Sequence, residues 1–276
     1  MGAGMARNLL KKGFPVVVYN RNPQRAEALA KEGARVASSP RQAAEQADVV
    51  VSMLADDAAS RSAWMGVEGA LSGAKKGAVL IESSTLSPGW IAELSAAATA
   101  KGCEFLDAPV TGSKTQAENG ELMFLVGGEA STLDKVRDAL AAMSRGSVHL
   151  GPTGSGARMK LVNNFLCGAQ AAALAEAVVF IEKSGLDRTK ALEILLNGAP
   201  GSPMVKTLTP RMTAQDYRPF FGVSLMSKDL NYAIDEAQKH GLALKTGQAA
   251  LERFRNAIAD WGDQDISAVV EPVRRP

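Results

Sequence analysis

The chain of 276 residues is 46% hydrophobic and 22% charged, an ordinary globular composition with length enough for one or two domains and their cores. A formal net charge of +2 argues neither for nucleic acid nor for a membrane surface, and neither is expected as a partner. The two cysteines, Cys103 and Cys167, lie among apolar neighbours in no metal-like spacing. They read as buried thiols, so no metal and an intracellular, cytoplasmic setting are expected. The N-terminus shows no signal-peptide pattern. The longest apolar stretch, Phe165 to Ile181, is interrupted by Gln170 and Glu176 and reads as a buried helix rather than a bilayer span. The two histidines, His149 and His240, each fall where an element ends, so a histidine acid or base is not expected.

The first stretch, Met1-Gly2-Ala3-Gly4-Met5-Ala6, leads straight into the helical run Arg7 to Lys12. It looks like the first helix of a dinucleotide-binding fold. Gly2 takes the place of the last glycine of a G-x-G-x-x-G loop, while two earlier glycines and the strand before them are absent. The sequence therefore reads as truncated or started at a late methionine. Pro15 to Asn20 follows as a β-branched strand, then Ala26 to Lys31 as a helix. Asp48–Leu54 and Ala78–Ser83 read as strands, Gly89–Lys101 as a helix and Glu104–Asp107 as a strand. Leu122–Val126 is a further strand, Thr132–Met143 a helix and Ser147–Leu150 a last strand. Short apolar strands separated by helical periods predict a mostly parallel sheet covered on both faces. After Gly151 no strand is expected; long helical periods are broken at Gly198–Pro203 and at Pro210–Pro219. The expected fold is an α/β, doubly wound Rossmann-type domain over residues 1–152, followed by an all-helical domain over 153–276.

Several stretches carry chemistry. Asn20-Arg21-Asn22 ends the first strand about twenty residues past the glycine loop, where this fold contacts the adenosine ribose. No acid stands there for the ribose hydroxyl of NAD, whereas Arg21 offers a fork for the 2′-phosphate of NADP. Ser83-Ser84-Thr85 follows a strand and faces the crevice at the carboxyl ends of the sheet. In Asp107-Ala108-Pro109-Val110-Thr111-Gly112-Ser113-Lys114, the hydroxyls of Thr111 and Ser113 and the amides around Gly112 suit a carboxylate. Gly154-Ser155-Gly156 opens a long helix on which Lys160 and Asn164 share one face, one turn apart. An ammonium and a carboxamide so placed can protonate a developing alkoxide and hold a carbonyl substrate. Lys228, before Asp229, would meet a substrate carboxylate as a point charge, or would form an ordinary surface pair with its neighbour.

Taken in order, these stretches, with Asp265-Ile266-Ser267-Ala268-Val269 near the end, resemble the β-hydroxyacid dehydrogenase family over nearly the whole chain. Ser113-Lys114 after Thr111-Gly112, with Ala117 to Leu122 following, looks most like its glyoxylate/succinic semialdehyde reductase branch. The 3-hydroxyisobutyrate dehydrogenase branch usually has a second glycine where Ser113 stands. Thr111 replaces the more usual serine and keeps the hydroxyl. Lys160 argues against the imine reductases that share the fold. The resemblance implies catalytic Lys160 assisted by Asn164. It places the substrate carboxylate on Thr111, Gly112 and Ser113, and Lys228 near cofactor and substrate. Met53, Leu54 and Thr85 would lie along the bound nucleotide, with Gly2, Asn20 and Arg21 completing the cofactor contacts.

The reading is an NADPH-dependent reductase of small aldehyde-acids such as succinic semialdehyde and glyoxylate. A homodimer or homotetramer built through the helical domain is expected. The alternatives are an oxidising 3-hydroxyisobutyrate-type dehydrogenase and a non-catalytic scaffold with this fold. The absent first strand favours the scaffold; the set Lys160, Asn164 and Lys228 opposes it.

Overall fold

A computed structural model describes residues 1–275. The chain divides into two compact units, Met1–Lys160 and Leu161–Pro276.

The first unit holds eight strands: β1 (Val17–Val18), β2 (Arg35–Val36), β3 (Val49–Ser52), β4 (Val79–Glu82), β5 (Glu104–Asp107), β6 (Val110–Thr111), β7 (Leu122–Gly128) and β8 (Ser144–Gly151). β1 and β2 pair in parallel as a separate ribbon. The other six form one sheet in the order β3-β4-β5-β7-β6, with β8 also on β7. β3, β4 and β5 run parallel, as the β-branched, apolar runs of β3 and β4 predict. β4 is buried along its whole length. Period-two alternation sends Val79 and Ile81 into a core with Met5, Leu106 and Phe124, and Leu80 into a second core with Trp64, Trp90 and Leu94. Both faces of the sheet are thus covered. Three flanking helices, Pro23–Ala30, Pro40–Ala44 and Pro88–Ala100, each start on proline behind a capping Asn22, Ser39 or Ser87.

The sheet departs from the expected parallel pattern at β7, which pairs antiparallel with β5 and β6. The chain between β6 and β7 is too short for a crossover, so it must turn back. β5 and β6 keep one register along β7, from Leu106↔Gly128 to Thr111↔Met123. Pro109, which has no N–H to donate, sits in the gap, and its carbonyl accepts from Leu125 N at 2.8 Å. Other sequence expectations shift too. The strand read over Pro15–Asn20 shrinks to Val17–Val18. The helix read over Thr132–Met143 is broken at Val136 into Ala130–Lys135 and Arg137–Met143. His149 lies inside β8 rather than at an end, with Nε2 2.7 Å from the Gly128 carbonyl oxygen.

The second unit is helical, with a single isolated bridge between Gly222 and Asp265 among the described residues. The Ser155–Lys183 helix runs from the end of the first unit into it. Helices Arg188–Asn197, Pro203–Ala214, Val223–Lys239 and Lys245–Trp261 follow, then a 3-10 turn at Ile266–Val270 and the short helix Glu271–Arg274. Pro210 is not a breaker, as its sequence suggested, but lies within the Pro203–Ala214 helix. The carbonyl it leaves without an N–H belongs to Lys206, which is exposed, so water can satisfy it. The Ser155–Lys183 helix is long and apolar enough to cross a bilayer, but half of its most apolar stretch is buried. Its Ala171, Leu174, Ala175, Val178 and Val179 pack in one core with Met212, Met226, Leu230 and Phe254.

Candidate active site

The Gly2–Lys11 helix opens with no side-chain cap and no acid in its first turn. Its leading amides therefore offer an anion site. Gly2 lies against Met53, at the end of β3. Leu54 N donates to Ser84 Oγ at 2.7 Å. That bond joins the loops at the carboxyl ends of two adjacent parallel strands, where open α/β sheets bind ligands. Thr85 is half-buried beside them. Ser83 Oγ is buried with no hydrogen-bond partner. By strand alternation it shares the face of Val79 and Ile81, the face against which Met5 and Met53 pack. At the end of β1, Asn20 Oδ1 accepts from Asn22 N at 2.9 Å. Arg21 between them is exposed and pairs with no carboxylate among the described residues. An open helix start, an orphaned buried hydroxyl and an unneutralised guanidinium fit a phosphorylated dinucleotide.

Thr111 ends β6, and Gly112 follows with φ +112°. A Cβ at Gly112 would lie 3.0 Å from Gln116 Cβ and 3.1 Å from Leu122 Cδ2, so the turn requires glycine. Ser113 N and Oγ both donate to Gln116 Oε1, at 2.8 and 2.5 Å. The loop is held from behind by Gln116. Thr111, Gly112, Gln116, Glu121 and Arg145 line a cleft of about 570 Å³. Arg145, which no sequence pattern singled out, adds positive charge to it.

Asp107, at the root of this loop, is fully buried. Its Oδ1 accepts from Gly154 N at 2.7 Å and its Oδ2 from Ala157 N at 2.8 Å. The carboxylate thereby caps the Ser155–Lys183 helix. Burial pushes its pKa up to about 6, against the pull of these amides and of Arg158. A Cβ at Gly156 would lie 2.2 Å from the Leu125 carbonyl oxygen, so only glycine lets the helix start sit so close to β7. Lys160, three residues beyond Ala157, is half-buried. One buried carboxylate thus ties the start of the helix that carries Lys160 to the end of β5, from which the chain runs on through β6 to Thr111, Gly112 and Ser113.

Within the second unit Asn164 is 3% exposed, and its Nδ2 donates to Asp229 Oδ2 at 2.6 Å. Asn163 Nδ2 donates to Asn164 Oδ1 at 2.9 Å. Lys228 Nζ stands 2.9 Å from Asp229 Oδ1 and 5.0 Å from the centre of the Tyr232 ring. Asp229 is buried, so Lys228-Asp229 is not an ordinary surface pair. It is an acid holding Asn164 and Lys228 at once, a role to which the Lys228-Asp229-Leu230 motif pointed only for its lysine.

A sheet with dinucleotide-binding loops, followed by a helical unit with a lysine on the joining helix, defines an NAD(P)-dependent oxidoreductase. Residues 1–151 match the NAD binding domain of 6-phosphogluconate dehydrogenase, and residues 154–273 the NAD-binding domain of NADP-dependent 3-hydroxyisobutyrate dehydrogenase. Glyoxylate/succinic semialdehyde reductase 1 of Arabidopsis thaliana is 34% identical over 99% of this chain and 95% of its own length. The mitochondrial 3-hydroxyisobutyrate dehydrogenase of Rattus norvegicus is 33% identical over 99% and 84%. The solved 3-hydroxyisobutyrate dehydrogenase of Mycobacterium tuberculosis with L-serine superposes with a TM-score of 0.90 at 33% identity, covering 99% of this chain and 96% of that one. The chain belongs to the β-hydroxyacid dehydrogenase family of NAD(P)-dependent enzymes.

Proposed function

We propose that this enzyme reduces a small aldehyde-acid, of the class of succinic semialdehyde and glyoxylate, with NADPH. The observation that carries the reading is the Asp107 clamp. It joins the helix start before Lys160 to the end of β5, four residues before Thr111. Bound NADPH supplies the hydride to the aldehyde carbon. Thr111, the amides at Gly112 and Ser113 hold the substrate carboxylate. Charge then builds on the carbonyl oxygen, and Lys160 donates a proton to it. Asn164, one turn along the same helix and braced by Asp229, orients the lysine or the substrate. Lys228 adds a second cation for cofactor or substrate.

Arg21 supports NADPH, since no carboxylate neutralises it and no acid stands in its place. A second reading, oxidation of a 3-hydroxyisobutyrate-type acid, draws on the rat and mycobacterial relatives. The scaffold alternative falls with membership of an enzyme family. Assembly as a homodimer or homotetramer through the helical unit is part of the proposal. Phe180 and Ile194 there are 74% and 71% exposed, and the Arg188–Asn197 helix buries no residue within the chain.

The test is Lys160→Met, which keeps the chain volume and removes the ammonium. We expect kcat to fall by roughly 10²–10⁴-fold, the usual worth of a general acid, with NADPH affinity changed only a few-fold. A variant with near-normal kcat refutes Lys160 as the proton donor. Comparing succinic semialdehyde, glyoxylate and 3-hydroxyisobutyrate with both cofactors decides between the two readings.

A further inference from the structure

Glu82, the last residue of β4, is fully buried, and no cation pairs with it among the described residues. Its carboxylate collects three donors instead. Ser60 Oγ donates to Oε2 at 2.6 Å, Trp64 Nε1 to Oε2 at 2.9 Å, and Ser84 N to Oε1 at 2.9 Å. Each of these bonds continues. Ser60 Oγ accepts from Trp90 Nε1 at 2.8 Å. Trp64 Nε1 also reaches Ser52 Oγ, at the end of β3, at 3.2 Å. Ser84 Oγ accepts from Leu54 N at 2.7 Å. One acid is therefore wired to both loops at the carboxyl ends of β3 and β4, directly through Ser84 and indirectly through Trp64.

A buried acid without a cation is expensive, and an apolar residue of similar volume is usually at least as good for stability. What an apolar residue lacks is acceptors. A backbone N–H and an indole N–H converge here from different elements, and a carboxylate accepts both without a donor of its own in the way. We propose that Glu82 is a positioning residue for the dinucleotide, holding Leu54 and Ser84–Thr85 in the conformation that receives the cofactor. The inference rests on the cofactor-site reading above. Ser60 and Trp90 form the far half of the network, anchored in the Asp57–Met65 and Pro88–Ala100 helices. Ser84 and Leu54 form the near half. A merely structural network would not distinguish the halves.

The experiment is a fluorescence titration with NADPH, alongside thermal unfolding and steady-state kinetics, for the wild type, Glu82→Gln, Ser84→Ala and Ser60→Ala. Glutamine keeps the shape but sets an NH2 against either the Trp64 indole or Ser84 N. We expect Glu82→Gln and Ser84→Ala to raise the NADPH Kd about tenfold or more, with kcat at saturation within about threefold of wild type. Ser60→Ala should lower the Tm and leave the Kd within about twofold. Folded Glu82→Gln or Ser84→Ala with wild-type affinity overturns the inference, as does a Ser60→Ala Kd raised as far as that of Ser84→Ala. If Glu82→Gln does not fold, Glu82→Asp, which keeps the charge but draws the carboxylate back from its donors by one methylene, takes its place with the same two outcomes. A wild-type chain that binds neither NADPH nor NADH overturns the cofactor-site reading, and this inference with it; binding by the wild type with unaltered variants overturns the inference alone.

Discussion

Asp107→Asn isolates the clamp between the end of β5 and the start of the helix that carries Lys160. Two effects of similar size oppose each other. The carboxylate is buried, and the rise of its pKa from 3.8 to about 6 corresponds to about 3 kcal/mol at neutral pH. Asparagine removes that burden. It has one acceptor oxygen, however, and must turn an NH2 toward Gly154 N or Ala157 N, leaving a buried N–H unpaired at a cost of about 1–3 kcal/mol. At pH 7 the variant and the wild type should therefore be close in stability. The pH dependence separates them. Because the native pKa is raised, the stabilisation linked to this group is complete below 3.8 and is lost as the pH climbs through about 6. Asparagine has no such dependence. The wild type should be favoured over Asp107→Asn by about 2 kcal/mol more at pH 4.5 than at pH 7.5. Urea unfolding across that range measures the gap. Trp64 and Trp90 lie in the unit that holds Asp107 and Trp261 in the other, so a Trp261→Phe background makes fluorescence report on the right unit. A gap that is constant, or that widens with rising pH, refutes the reasoning. The amides would then stabilise the charge by more than burial penalises it.

Arg21→Ala should raise the KM for NADPH, at a cost of about 1.5–3 kcal/mol for a charged contact, and leave that for NADH nearly unchanged. Equal losses with both cofactors in steady-state assays would remove the NADPH preference. Gly112→Ala forces a side chain into a φ of +112° and against Gln116 and Leu122. The strain of about 1–3 kcal/mol should appear as a raised KM for the aldehyde-acid with that for NADPH intact. An uncharged aldehyde such as butyraldehyde should be a far poorer substrate than succinic semialdehyde, because a loop built for a carboxylate loses its partner. Comparable kcat/KM values would show that Thr111 and Ser113 do not read that charge.

The residues that sequence reasoning missed have a common property. Asp107, Asp229 and Glu82 are buried acids whose partners lie far along the chain, at separations of 47 and 50, of 65, and of 22 and 18 residues. None makes a periodic pattern, and each looks like a strand-end or helix-surface acid in its own neighbourhood. Their hydrogen bonds fix the positions of Asn164, of Ser84 and of the start of the helix that carries Lys160. Arg145 was missed for a related reason. It sits at a register shift in the β7–β8 ladder, which no local pattern announces.

By itself the amino-acid sequence determined whatever depends on local period and local chemistry. The apolar runs of β3 and β4 and the one-turn spacing of Lys160 and Asn164 follow from pleat and pitch, which neighbouring residues set. The change from strands to helices after Gly151 is legible for the same reason, and Arg21 at the end of β1 needs only its own strand and turn to be placed. Tertiary structure alone decided the antiparallel return of β7 against β5 and β6, the break of the helix at Val136 and the tolerance of Pro210 inside a helix. It also decided which acids are buried and what they hold. Those outcomes depend on what another part of the chain brings alongside, such as a free backbone N–H or a closely packed glycine, or leaves open to water. Such groups meet only when the strands and helices are assembled.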